Sequence, residues 1–256
     1  MESEQQPKEE DRFKLPVITF EGKKYTFNPW QVIVFAIAVP VFVIVFYELL
    51  EYATWIRVIV GEHTIDSMNF VTLMGASIRY QVDGQVFYNY VDLVSYTGLG
   101  DIFYSYVDNI VIMFDIPGRS DIQFVTFCTG FQAIIIFAGL ILFTPHSKDD
   151  DANKRIWQRK IGSLFWSSLI FYIVNIIRMW IQLYLYYIGF AWNDIHYSIS
   201  AASSFIAAII ILMMHKKLPE FVICILWTGV AIKRRYFPNL GYKKPKIEDT
   251  EKEIKP

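Results

Sequence analysis

Three residues have the types needed for acyl-transfer chemistry: Cys128, Arg178 and His196. A thiol of pKa about 8.5 becomes a competent nucleophile when a cationic neighbour lowers its pKa. A histidine can hold the thiolate and later protonate the leaving amine. An arginine stabilises the tetrahedral oxyanion, most strongly in a dry, low-dielectric site. A lone buried cysteine more often acts as a small hydrophobe, and Cys224 is read that way. His63, His146 and His215 read as solvated histidines of surface loops.

The elements that must position these residues follow from composition. Of 256 residues, 54% are hydrophobic and 19% charged, against about 45–50% and about 25% in soluble domains. Such a chain has too much to bury to be disordered. Two cysteines exclude a disulfide scaffold or a four-cysteine zinc site, and no metal or other cofactor is expected. A net charge of −1 argues against nucleic acid as a partner. A membrane protein remains.

A hydrocarbon core of about 30 Å needs roughly 20 helical residues. Four stretches qualify: Trp30–Leu50, Phe124–Phe143, Ile161–Ile188 and Ile195–Met214. A fifth apolar run, Phe221–Ile232, is flanked by Lys216, Lys217 and Lys233–Arg235 and reads as an interfacial or re-entrant helix. The expected fold is therefore an all-α polytopic membrane protein with four transmembrane helices, a short C-terminal interfacial helix and a small outer segment. Its parts are a cytoplasmic tail (1–29), a membrane-embedded domain (30–215), and an interfacial helix with a basic cytoplasmic tail (216–256).

Loop charge orients this bundle. Twenty of the 24 Lys/Arg lie in the two tails, the 145–160 loop and the 215–217 turn. Placing these in the cytoplasm satisfies the positive-inside rule at every connection. Residues 61–123 carry eight acids, two arginines and no lysine, and fall outside. Within them, residues 78–88 read as a β-hairpin about Asp83-Gly84, and 50–74 as a helix along the outer surface. Leu99–Ile116 reads either as a helix aligning Asp101, Asp108 and Asp115 on one face or, at its end, as a strand.

Polar residues within the spans are costly and tend to face the bundle interior. Asn175, Arg178 and Gln182 share one helical face, Cys128 and Gln132 stand four apart with Gly139 continuing their row, and His196, Ser200 and Ser203 form a third stripe. Such stripes are also what helix-packing seams look like. Arg178 fits a seam less well, since a central arginine costs at least roughly 2.5–3.5 kcal/mol to insert, unless it snorkels to a headgroup. The topology drawn from loop charge brings Cys128, Arg178 and His196 toward the outer side.

FCTGFQA around Cys128, NIIR ending at Arg178 and DIH ending at His196 resemble the exosortase/archaeosortase family, whose members are polytopic membrane cysteine enzymes that process C-terminal sorting signals. That family shows Cys-(Ser/Thr)-Gly at the outer end of a span, Asn-x-x-Arg in the next, and His or Arg in a third. VTLMGASIRYQVDGQVFY also looks like its hairpin upstream of the cysteine. The compact size and the Cys128-Thr129-Gly130 triplet look more like the archaeal branch, while the acidic stretch 89–123 looks like an insertion.

The resemblance implies that Cys128 attacks a peptide carbonyl, that Arg178 stabilises the oxyanion and that His196 acts as general acid and base. Asn175 would position Arg178, and Gln132 would be a second oxyanion donor. Partners would be surface proteins carrying a short motif, an apolar helix and a basic tail, with a lipid amine or hydroxyl, or water, as acceptor. The enzyme would sit in the plasma membrane with both termini cytoplasmic and its site outward. Two other readings of the same residues are a transporter or channel with an arginine-lined site and a non-catalytic membrane scaffold.

Overall fold

The structure is a computed structural model that describes residues 15–103 and 109–236. The outermost parts of both expected tails, and Asp108, lie outside the described residues.

Residues 15–28 are not a plain charged tail. Strands β1 (Ile18–Phe20) and β2 (Lys23–Tyr25) pair antiparallel about Glu21-Gly22. Asn28 then caps helix α1 (Pro29–Tyr52), its side chain accepting from the Trp30 amide at 3.1 Å, and Pro29 at the first helical position loses no hydrogen bond. Pro40 lies inside α1 without ending it. Only Val32 and Leu50 of this helix are buried, while Ile37, Val41 and Ile44 are exposed, the surface of a helix meant for an apolar solvent.

Helix α2 (Thr54–Thr72) follows. It does not merely lie along a surface, because Ile56, Val58, Val60, Ile65 and Met68 are buried beneath a sheet. That sheet holds β3 (Ser77–Val82) and β4 (Gln85–Phe87), joined by Asp83-Gly84 with both φ positive, as a type I′ turn requires. Two short helices, α3 (Tyr90–Thr97) and α4 (Leu99–Phe103), lead to β5 (Val111–Asp115) and β6 (Ile122–Gln123). The strand order is β4-β3-β5-β6. Ile78, Tyr80, Val82, Ile112 and Phe114 alternate with less buried neighbours and face the core. Gly61 lets α2 approach, since a Cβ there would stand 2.9 Å from Ile78 Cδ1. The fold is thus mostly helical rather than all-α. Asp101 and Asp115 do not share a helix face, because β5 is drawn into pairing with β3.

The second expected span is corrected. Phe124 donates its amide to the Ile112 carbonyl at the sheet edge, Thr126–Thr129 form a 3₁₀ turn, and Gly130 is left-handed. Only then does helix α5 (Phe131–Phe143) begin; its 13 residues span about 20 Å at 1.5 Å per residue. After the short helix α6 (Asp150–Asn153) come α7 (Ile156–Tyr187), α8 (Trp192–Lys217) and α9 (Pro219–Tyr236). Among the described residues, α1, α7 and α8 are long and apolar enough to cross a membrane. The run expected at 221–232 is part of the 18-residue α9, whose Ile223, Cys224 and Trp227 pack with Tyr25 and Phe27.

α5 packs between α1 and α7, and α8 packs on α7. The chain directions bring the end of α1, the starts of α5 and α8 and the end of α7 to the sheet. The β1–β2 hairpin, α6 and α9 gather at the opposite end. One apolar cluster runs from the sheet through Cys128 to Met179, Leu183, Tyr186 and Ile195.

Candidate functional site

The cysteine sits on the turn between sheet and helix. Cys128 is buried at 3% exposure, and its amide donates to the Val125 carbonyl at 2.9 Å. Thr129 closes the turn, donating its hydroxyl to the Thr126 carbonyl at 2.7 Å and accepting from the Phe131 amide at 3.3 Å. Gly130 has φ +75°, and a Cβ there would lie 2.7 Å from Asn175 Cγ. Only glycine meets both demands at low cost.

α7 supplies the clamp. Asn175 Nδ2 and Arg178 Nη2 both donate to the Cys128 carbonyl, at 3.0 and 3.1 Å. Asn175 is 2% and Arg178 8% exposed, so the arginine does not snorkel to a headgroup. It has no carboxylate within salt-bridge distance among the described residues, and its Nε is buried without a partner. A thiol buried this deeply needs a base beside it to become a nucleophile.

His196 is half-buried on the second turn of α8, and its ring makes no hydrogen bond to Cys128 or Arg178 among the described residues. Its ring lies 5.3 Å from that of Trp192, its carbonyl accepts from Gln182 Nε2 at 3.5 Å, and its Nδ1 has no partner. Gln132 is not on a continuous helix with Cys128, because the chain breaks at Gly130; its Nε2 is also buried and unpartnered. Ser200 Oγ and Gln182 Oε1 share that condition. Buried polar groups are normally paired; five of the twelve unpartnered buried side-chain atoms among the described residues lie here, and the others are spread over the molecule.

Sequence reading passed over Glu51. Near the end of α1, its Oε2 accepts from the Thr126 hydroxyl at 3.0 Å, two residues before the cysteine. Tyr47 stands one turn earlier, beside Glu51 and Gln132. The available signal was an acid in the last turn of an otherwise apolar helix. Both cysteines are free thiols, and Cys224 is fully packed in the cluster at the other end. His63 lies on α2 with Nδ1 2.7 Å from the Tyr172 hydroxyl, and His146 is half-buried, so neither is a plain solvated loop residue. No group of three or more metal-ligating side chains occurs among the described residues.

Compared with protein-family models, curated proteins and solved structures, the chain matches none of them. The functional reading therefore rests on the residues and their geometry.

Proposed function

We propose that this chain is a membrane cysteine peptidase or transpeptidase of the exosortase/archaeosortase type, cleaving C-terminal sorting signals of surface proteins through a thioester. The supporting observation is the double anchorage of the Cys128 carbonyl by Asn175 and Arg178. Two polar side chains on an apolar helix are spent on holding a cysteine turn, and the arginine has no counter-ion among the described residues. A cysteine that only fills space needs neither.

In this reading His196 takes the Cys128 proton and the thiolate attacks the peptide carbonyl, forming a C–S bond and an oxyanion. Arg178 through Nε and Gln132 through Nε2 supply hydrogen bonds to that oxygen. Collapse breaks the C–N bond, and the amine leaves with the proton from His196. Water, or a lipid amine or hydroxyl, then attacks the thioester and releases the thiol. Asn175, Thr129 and Gly130 keep the turn in place throughout.

The membrane arrangement belongs to the same proposal. α1, α7 and α8 cross the plasma membrane, and α5 with its preceding turn forms a short fourth segment. The basic loops and both termini are cytoplasmic. The sheet and the cysteine face outward, where a substrate's apolar helix docks beside the bundle with its basic tail inside.

The test is mass spectrometry of C-termini in surface proteins from cells carrying the wild type or Cys128→Ala. New C-termini that vanish with the alanine variant, while the protein remains inserted, are the expected result. Processing at the normal rate by Cys128→Ala sinks the catalytic assignment and leaves the scaffold or transport reading.

A further inference from the structure

The turn 117–120 between β5 and β6 brings Arg119 to the sheet-end terminus of α7. The guanidinium carbon stands 4.5 Å from the centroid of the Tyr186 ring, and Nη2 donates to the Phe190 carbonyl at 3.0 Å. Arg119 Nε is buried and has no partner. The Tyr186 hydroxyl donates to the Ser120 carbonyl at 3.1 Å, tying the turn to α7. A cleft of about 410 Å³ opens here, lined by Gly118, Arg119, Ser120 and Tyr186.

Charge makes this cleft unusual. Asp115 and Asp121, the acids that flank Arg119 in sequence, are both engaged by Arg79. Among the described residues no carboxylate reaches Arg119 itself. An arginine held by a ring face and a carbonyl, with no carboxylate in reach among the described residues, can receive a phosphate or carboxylate through its guanidinium. Its surroundings select between sources. Tyr184, Tyr187, Phe190 and Tyr197 are exposed around the adjoining ends of α7 and α8, the composition of a membrane–water interface. The surrounding segment 61–123 carries a formal −6, which disfavours free anions and acidic peptides in solution. A lipid phosphate is delivered at high effective concentration by the bilayer and overcomes that repulsion.

We propose that the Arg119–Tyr186 cleft binds the phosphate of a membrane phospholipid headgroup. The site is separate from the Cys128 clamp and does not depend on the chemistry proposed there. Tyr186 lies eight residues beyond Arg178 on α7, about 12 Å along the helix axis, so the bound headgroup borders that clamp.

Native mass spectrometry of the full chain in maltoside detergent tests this. The lipids are phosphatidylglycerol and a diacylglycerol of the same chains, with inorganic phosphate as a separate arm. Wild type is expected to retain phosphatidylglycerol in preference to diacylglycerol. Arg119→Gln should weaken that binding at least tenfold and Arg119→Lys much less. Tyr186→Leu keeps the charge but removes the ring that orients it, and should weaken binding several-fold, a second route if Arg119→Gln fails to fold. Undiminished phosphatidylglycerol binding in either folded variant overturns the proposal. Displacement by millimolar inorganic phosphate or by an acidic peptide also overturns it, reassigning the cleft to a free anion or to a peptide.

Discussion

Buried charge occurs at both ends of this bundle, and the two ends treat it differently. At the α9 end, Arg159 meets Glu220 through two nitrogens and also donates to the Ala152 carbonyl. Lys160 donates to the Leu142 and Thr144 carbonyls, at 2.9 and 2.8 Å, where α5 stops. A cation at a helix C-terminus is favourably placed. Open valences occur here as well, at Arg159 Nε, Asn153 Oδ1 and His215 Nδ1, but Glu220 supplies a counter-charge. At the sheet end Arg178 has a carbonyl but no carboxylate, and Arg178, Gln132 and His196 each keep an open valence. The difference is the counter-ion: among the described residues Glu220 reaches Arg159, while Lys160 and Arg178 are held by carbonyls. An arginine without a carboxylate beside a buried cysteine is a candidate functional group, in line with the general link between perturbed sites and function.

The comparison breaks if the two arginine clusters respond alike to mutation. Arg178→Ala has the largest expected effect. Processing should fall by roughly 10²–10³, the loss typical of an oxyanion donor, while the melting temperature moves little. The alkylation rate of Cys128 offers a readout independent of substrate, in a Cys224→Ala background. A guanidinium bonded to the Cys128 carbonyl at 3.1 Å favours the thiolate over the thiol, so its removal leaves less thiolate at any given pH. The rate profile of Arg178→Gln should therefore shift to higher pH, and an unshifted profile refutes the electrostatic role.

Glu220→Ala should do the reverse. Leaving Arg159 without its carboxylate costs about 3 kcal/mol, read as a lower unfolding midpoint in detergent. Processing per folded molecule should stay at the wild-type level. A catalytic defect of the same size as that of Arg178→Ala would erase the distinction between the two ends.

Gly130→Ala comes next. Its Cβ would meet Asn175 Cγ at 2.7 Å with φ at +75°, a backbone state costing an ordinary residue about 1–2 kcal/mol. The turn must move, and the clamp on the Cys128 carbonyl loosens. Processing should drop about tenfold, and no less in Gly130→Asn, which tolerates the left-handed region but keeps the Cβ that meets Asn175. Equal rates in wild type and both variants would show that the turn geometry is immaterial.

The legible part of this molecule was its long apolar runs. Trp30–Leu50, Ile161–Ile188 and Ile195–Met214 fall within α1, α7 and α8 to within a few residues. The stripe Asn175–Arg178–Gln182 was readable because a 32-residue helix keeps its phase. Phe124–Phe143 misled because an apolar run does not reveal its period: Phe124 bonds at the sheet edge, and Gly130 restarts the chain as a separate helix. The β1–β2 hairpin was hidden for the opposite reason. Its strands have three residues each and lie among lysines and acids, and only long-range packing on α9 gives Tyr25 and Phe27 an interior. Glu51 was invisible as a partner because its contact with Thr126 spans 75 residues.

That contact yields the smallest effect and the finest division within the sheet-end cluster. Glu51 does not touch Cys128; it accepts from Thr126, whose carbonyl in turn holds Thr129. Its role is therefore to position the turn, and an oxygen acceptor is all that role requires. Glu51→Gln retains one and should process within about twofold of wild type, whereas Glu51→Ala and Thr126→Val each lose about 1 kcal/mol, roughly fivefold. Because both remove the same bond, the double variant should be no worse than either single one. Additive losses would show that Glu51 acts by another route. A severe defect in Glu51→Gln would instead mean that its charge matters, and that this carboxylate belongs to the chemistry of the site.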